Sequence, residues 1–508
     1  MRSRTVVVGL LALAILAVLA IVLGPRMLQS RQAEAPAPAY WPTNGWRTST
    51  PEEQGFDSAR LAEGLQELRD GNVPINSLLI IRNGHVILDA YLDPYDGSFP
   101  HKLASVTKSV TTTLVGIAID RGELSLDQPM VSFFPDRTIA NLDSRKNAIT
   151  VKHLAEMLNG MESGCLAGDE PTLDAMRSAP DWVQAALDRK MAEDPGTTFC
   201  YDSPGMHLLS AILQEATGMT GLEFARQNLF EPLGIHELLW VPDPQGYTRG
   251  WGDLYLYPQD AAKIGYLWLN RGRWEDKQIV SAGWVADSVR AHSNAGGDDY
   301  GYGIWVARSK APDDSYFAVG RGGQYVRVYP SYNAIVVVTA QGLDDYDVLD
   351  PLLGSSFISP DAPLPPNPEA IAHLNAMLPS LAQAPHPWPT SPLPDTAKSI
   401  SGEQFTFGPN AADVESLRLE CINTSECMLR IKPTQEGELV WPVGLDGKYR
   451  LSSEGQATRG YWADPQTFVI ETFQDQGLVT YSLSFDNSRV RVSSPELGIA
   501  FEGQIESP

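Results

Sequence analysis

"KLASVTKSVTTTLVGIAIDRG", residues 102–122, sets a serine three places before a lysine and then runs into almost unbroken aliphatic sequence. A run of this kind, stopped by Gly122, predicts a buried helix over residues 105–121 with Ser105 in its first turn. Residues three apart share a helical face, so the Lys108 amine falls beside the Ser105 hydroxyl. Val110, Leu114, Val115, Ile117 and Ile119 leave little polar surface, which encloses the helix and partly desolvates a lysine at its mouth. Desolvation disfavours an ammonium, and a neutral amine takes the proton of a serine that is too weak a nucleophile unaided. The helix N-terminus adds partial positive charge where an alkoxide develops. An ordinary helix cap followed by a snorkelling lysine has the same spacing, so the pattern by itself leaves both readings open.

Upstream, Asp57 is the expected N-cap of a helix with Leu61, Leu65 and Leu68 on one face and Gly71 at its end. "NSLLIIRNGHVILDAYL" then gives two apolar runs joined by Asn83-Gly84, the turn pair that marks a hairpin. Downstream the pattern is helical, with "LLSAILQEATG" (208–218) and "PQDAAKIGYLWLNRG" (258–272) both ending at glycine. Strand character returns in "YFAVGRGGQYVRVYP" (316–330) and "NAIVVVTAQG" (333–342). An antiparallel sheet opened near the N-terminus and completed near residue 340, with helices between, is an α+β arrangement.

Residues 360–394 then hold eleven prolines, which predicts a stiff linker with one short helix inside it. Beyond it, "VTYSLSFDN" alternates Val479, Tyr481, Leu483 and Phe485 with small polar residues, and further strands follow at turn-spaced intervals. The expected organisation is a transmembrane anchor or signal segment at 1–32 and an extended tether at 33–50. A first globular domain follows at 51–358, a Pro-rich linker at 359–394 and a small antiparallel β domain at 395–508.

A net charge of −24 argues against nucleic acid and against an anionic membrane surface as partners, because both attract basic patches. The eight histidines form no H-E-x-x-H or similar cluster, so no metal and no cofactor is expected. No G-x-S-x-G elbow is present and no histidine sits in a motif that supports Ser-His-Asp chemistry. Residues 5–24 are long and apolar enough to cross a bilayer, and Arg2 and Arg4 precede them. An Ala33-Glu34-Ala35 site allows cleavage, but the length of the apolar run favours a retained anchor. Four cysteines, an even count, favour a catalytic domain held outside the cytoplasm, periplasmic or extracellular, and secreted if the segment is cleaved.

Several ordered segments carry a family resemblance: "STPEEQGFDSARL", "SVTK", "HLAEMLNGMESG" (153–164), "PGTTFCYDSPG" (195–205), "GDLYLYPQDAAKIGYLWLNRGRW" (252–274), "YGYGIWV" and "GRGGQYVRVYP". From about residue 48 to 343 the chain resembles the serine β-lactamase-fold hydrolases. These comprise class C β-lactamases, penicillin-binding DD-peptidases, β-lactamase-like esterases and 6-aminohexanoate-dimer hydrolases, and the esterase and dimer-hydrolase branch is the most similar. The resemblance implies an antiparallel sheet flanked by helices plus an all-helical region. It implies Ser105 as the acylated nucleophile, Lys108 as its base and Tyr201 as a proton relay. Ser203 stands where the family's Y-x-N motif has asparagine, and Arg321-Gly322-Gly323 stands at its K-T-G element. Ser203, Arg321, Gly322 and Gly323 are thereby expected to contact substrate, and the backbone N–H groups of Ser105 and Gln324 to form the oxyanion hole.

In such a fold Cys165 and Cys200 lie on two segments that line the site, so a bridge between them would pin Tyr201 to the opposite loop. Cys421 and Cys427, six apart, would close a hairpin in the β domain. The expected reaction is acyl transfer to water on a small amide or ester. The alternatives are a β-lactamase or D-Ala-D-Ala carboxypeptidase and, from another class, a non-catalytic penicillin-recognising sensor. The β domain is expected to cover and stabilise the first domain. The sharper alternative makes it a wall of the cleft, with Trp441 or Trp462 stacking on substrate.

Overall fold

The structure is a computed structural model that describes residues 38, 40–164, 170–308, 314–343, 346–384, 388–389, 392–421, 423–434, 437–474, 477–486 and 488–505. Residues 5–24, and with them the expected membrane segment, lie outside the described residues, as does Cys165. Among the described residues no helix is long and apolar enough to cross a membrane.

The hairpin forms where the sequence places it. Strands Ile75–Arg82 and His85–Tyr91 are joined by Asn83 and Gly84, both with positive φ, as a tight turn between right-twisting strands requires. Strand Ala334–Ala340 pairs antiparallel with Ile75–Arg82, and Gln324–Tyr329 and Tyr316–Gly320 follow outward. The nine-stranded sheet is antiparallel except at the edge pair of Arg47–Thr48 with His85–Tyr91.

Strand Ile75–Arg82 is buried at every residue because helices cover both faces. Leu78 and Ile80 point into one core with Leu61, Leu65 and Leu68 of helix Ser58–Asp70. Leu79 and Ile81 point into the other, with Val110 and Leu114 of helix Val106–Asp120 and with Ile264 and Leu267 of helix Pro258–Leu269. Within the proline-rich segment, helix Pro368–Leu381 buries Leu374, Met377 and Leu381 in the first of these cores, so much of that segment is packed rather than spanning free space.

The C-terminal domain is a ten-stranded sheet of neighbouring antiparallel strands. It runs from Leu439–Gly444 through Gln404–Phe407 and Ile499–Ile505 to Arg450–Leu451, and a parallel contact between Gly444 and Arg459 closes it into a barrel. Cys421 and Cys427 face each other across one hairpin and are joined by a disulfide. An aromatic cluster holds the barrel to the first domain. The Phe473 ring lies 5.6 Å from Phe99 and 5.4 Å from His101, and Tyr449 lies 5.6 Å from Phe99. Aromatic pairs of this kind contribute about 0.5–1.5 kcal/mol each beyond the area they bury.

Candidate active site

Helix Val106–Asp120 starts one residue later than its periodicity predicts, and Ser105 is its N-cap. The Ser105 side chain makes no capping bond, which leaves the hydroxyl for other chemistry. Ala104 before it holds φ at 45°, a left-handed conformation that L-residues with a Cβ rarely adopt. Thr107 fixes this bend by donating from Oγ1 to the Ala104 carbonyl at 2.6 Å. Gly320 completes it: a Cβ there would lie 2.5 Å from the Leu103 oxygen and 2.9 Å from the Ser105 nitrogen. Only glycine lets strand Tyr316–Gly320 come this close to the nucleophile's backbone. Among the described residues the Ser105 N–H has no acceptor.

Lys108 is 1% exposed, and its Nζ donates to Ser105 Oγ at 2.8 Å and to the Trp251 carbonyl at 3.0 Å. No carboxylate of a described residue lies within ion-pair distance of it. The Tyr201 ring also lies against it, with its centroid 4.7 Å from Nζ. The amine therefore meets the face of the tyrosine, and among the described residues no hydrogen bond joins the Tyr201 hydroxyl to Ser105 or Lys108. The Tyr201 ring also stacks with Trp305, centroids 6.0 Å apart at 23°.

Tyr201 is held through its neighbours. Its carbonyl accepts from Ser163 Oγ at 2.7 Å, and the Cys200 N–H donates to the Met157 carbonyl at 3.0 Å. Cys200 is disulfide-bonded, and its expected partner Cys165 lies outside the described residues. Asp202 is fully buried, accepts from both terminal guanidinium nitrogens of Arg189 at 2.7 and 3.0 Å, and takes a third bond from Asn159 Nδ2 at 2.7 Å. None of Asn159, Arg189 and Asp202 stands out by spacing, although Asn159 and Ser163 belong to the quoted "HLAEMLNGMESG" stretch.

Ser203 opens helix Ser203–Thr217 and is fully buried. Both its donors are taken by one carboxylate, N–H to Glu170 Oε1 at 3.0 Å and O–H to Glu170 Oε2 at 2.8 Å. The polar group at this corner of the cleft is therefore Glu170, with Ser203 supporting it, and nothing in the sequence pattern links the two. His207 of this helix pairs with Asp243, Nε2 to Oδ2 at 3.0 Å; both are fully enclosed, and among the described residues neither bonds to Ser105.

Arg321 is exposed, and Gly322 and Gly323 carry φ of 81° and 99°, which explains two glycines in succession. Gln324 faces Gly320 across this hairpin and is 2% exposed, with its side-chain amide donating to the Ala340 carbonyl at 2.7 Å. Ser105, Glu170, Ser203, Trp251 and Arg321 line one cleft of about 290 Å3. Trp251 has an indole N–H with no acceptor among the described residues. Asp253 on the same wall binds Lys102 at 3.1 Å and Arg249 at 2.7 Å. Burial pushes its carboxyl up, but these two cations outweigh that and hold it below the usual carboxylate range.

The opposite wall comes from the barrel: Leu439, Trp441, Glu454, Gly455 and Gln456 complete the cleft. The β domain thus shapes the site as well as covering the first domain. Of the two tryptophans considered from sequence, Trp441 lines the cleft, whereas Trp462 is 6% exposed and packed on Phe468 and Phe485 in the barrel core.

The Beta-lactamase family model matches residues 59–354. The chain is 29% identical to penicillin-binding protein 4 of Amycolatopsis lactamdurans over 271 residues, covering 50% of this chain and 69% of that one. It is 23% identical to the 6-aminohexanoate-dimer hydrolase of Paenarthrobacter ureafaciens over 287 residues, covering 53% and 70%. In fold it is similar to EstCE1, a hydrolase with promiscuous acyltransferase activity, with a TM-score of 0.51 at 18% identity, covering 59% of this chain and 98% of that one.

Proposed function

Because the chain belongs to the Beta-lactamase family, whose members include hydrolases, we propose that it is a serine hydrolase acting through an acyl-enzyme on a small amide or ester. The observation that carries this reading is the 2.8 Å contact between Lys108 Nζ and Ser105 Oγ, made by a buried amine for which no carboxylate among the described residues competes. In its neutral form the amine accepts the Ser105 proton as Oγ bonds to the substrate carbonyl carbon. The oxyanion forms beside the Ser105 N–H, which has no acceptor among the described residues, at the start of a fifteen-residue helix. A second N–H from the Gly320–Gln324 hairpin, assigned to Gln324, completes the hole. The bond to the leaving group breaks as that group takes a proton, with Tyr201 as its relay. Water then adds hydroxide to the acyl carbon and returns a proton to Ser105. The Tyr201 ring face lies against the Lys108 amine, with Nζ 4.7 Å from the ring centroid.

A second reading, a β-lactam or D-Ala-D-Ala peptide substrate, is supported by Arg321, an exposed guanidinium on the cleft with no carboxylate partner among the described residues. A terminal carboxylate is the group such a fork binds. The apolar run at 5–24 supports a membrane-anchored enzyme with its catalytic domain outside the cytoplasm. A fluorophosphonate probe and a panel of p-nitrophenyl esters, nitrocefin and short ω-amino-acid amides test the proposal. Hydrolysis and labelling that vanish in Ser105→Ala support it. Equal labelling of wild type and variant points to the sensor reading and overturns the catalytic one.

A further inference from the structure

The barrel is wider than its side chains fill. Phe405, Trp462, Phe468 and Phe485 pack part of its interior. The remaining inward rows surround a cavity of about 480 Å3. Residues two apart on a strand share a face, so Leu429 with Ile431, Leu439 with Trp441, Tyr481 with Leu483, and Ile499 with Phe501 all point into it. Among the described residues no charged side chain lines it, and the polar side-chain atoms on its lining are the Tyr481 hydroxyl and the Trp441 indole N–H. Leu497, at 48% exposure one of the few large apolar side chains in water, lies on its margin.

A packed barrel of this size closes around its own side chains or holds one small apolar ligand. The second outcome is favoured here because the cavity is not isolated. Leu439 and Trp441 line it and also line the cleft that holds Ser105. One pair of side chains thus stands between a charged cleft, with Glu170, Asp174, Arg177 and Arg321, and an uncharged chamber.

We propose that this chamber receives the aliphatic chain of the substrate, and that the natural substrate is an ester or amide of a medium- or long-chain fatty acid whose carbonyl lies at Ser105. Leu439 and Trp441 are the threshold that the chain crosses. At about 30 Å3 for a water-sized group, the chamber has room for a chain of roughly ten to fifteen carbons. Each methylene moved from water into it raises affinity about fourfold, so chain length becomes the selectivity of the enzyme. The inference rests on the hydrolase reading for its chemistry, but its binding half does not require catalysis.

The test uses the full-length chain. Ser105→Ala protein, titrated with 11-(dansylamino)undecanoic acid, is expected to bind the probe at a single saturable site and to release it to dodecanoate but not to acetate. Ile431→Trp or Val492→Phe, whichever keeps the wild-type melting temperature, fills the chamber and weakens binding about tenfold or more. In the wild type, kcat/KM rises from p-nitrophenyl acetate to the dodecanoate, and the filled variant lowers the dodecanoate-to-acetate ratio by a similar factor. Absence of saturable binding, displacement by acetate as readily as by dodecanoate, a flat chain-length profile or an unchanged ratio overturns the inference. Probe binding in a protein whose Ser105 fails to label would retain the chamber as a fatty-acid site while removing the hydrolase reading, so the two failures are separable.

Discussion

Arg189 grips Asp202 with both terminal guanidinium nitrogens, at 2.7 and 3.0 Å, where the two side chains are 8% and 0% exposed. Asp202 follows Tyr201 directly, so this pair fixes the loop that brings the tyrosine ring to Lys108. Asp202→Ala leaves a buried guanidinium unpaired and is expected to cost about 3–5 kcal/mol. Thermal denaturation should show the loss, and short-ester kcat should fall more than KM rises, because the binding cleft is left in place while Tyr201 moves.

Gly320→Ala tests the close approach at the nucleophile. The added methyl meets the Leu103 oxygen at 2.5 Å and the Ser105 nitrogen at 2.9 Å, both backbone atoms that side-chain motion does not clear. A shift of about 1 Å at the reacting group is expected to lower kcat about a hundredfold. Circular dichroism should show a folded chain, and acylation by a fluorophosphonate should slow in parallel.

The Asp253 carboxyl predicts a pH dependence with a definite sign. Its folded pKa lies below the unfolded value, since Lys102 and Arg249 outweigh its burial. Its stabilisation is therefore complete above the unfolded aspartate pKa of about 3.9, and is lost as pH falls through the lower folded value. Urea denaturation of wild type and Asp253→Asn should give a gap that is constant near neutrality and shrinks only as pH falls below about 4. A gap that instead grows on acidification would contradict the assignment.

Phe473 carries the contact between barrel and catalytic domain, lying 5.4 Å from both His101 and Tyr449. Phe473→Ala removes this central, half-buried ring and is expected to cost about 1–3 kcal/mol where the barrel meets the first domain. Limited proteolysis should then release the barrel from the remainder more readily than in the wild type.

Local patterns in the sequence carry the scaffold. The helix after Ser105, the Asn83-Gly84 hairpin and the strands closing the sheet near residue 340 each depend on neighbours within a few residues, which periodicity and turn chemistry record. The Ser105–Lys108 contact belongs to the same class, since one helical turn separates the two. What stays hidden are pairings made by the fold across long stretches of chain: Glu170 under Ser203, Arg189 on Asp202, and Lys102 on Asp253. Gly320 resembles any strand-end glycine until the nucleophile's backbone is laid against it. Trp441 and Trp462 are indistinguishable by composition, yet Trp441 lines both the cleft and the barrel cavity, while Trp462 packs on Phe468 and Phe485 in the barrel core.

Intact-protein mass spectrometry after brief exposure to a fluorophosphonate, followed by peptide mapping, addresses the nucleophile directly. A single adduct on Ser105 is expected, formed more slowly by about a hundred- to ten-thousandfold in Lys108→Met and absent in Ser105→Ala. Modification at any other serine, or an undiminished rate in Lys108→Met, would contradict the account.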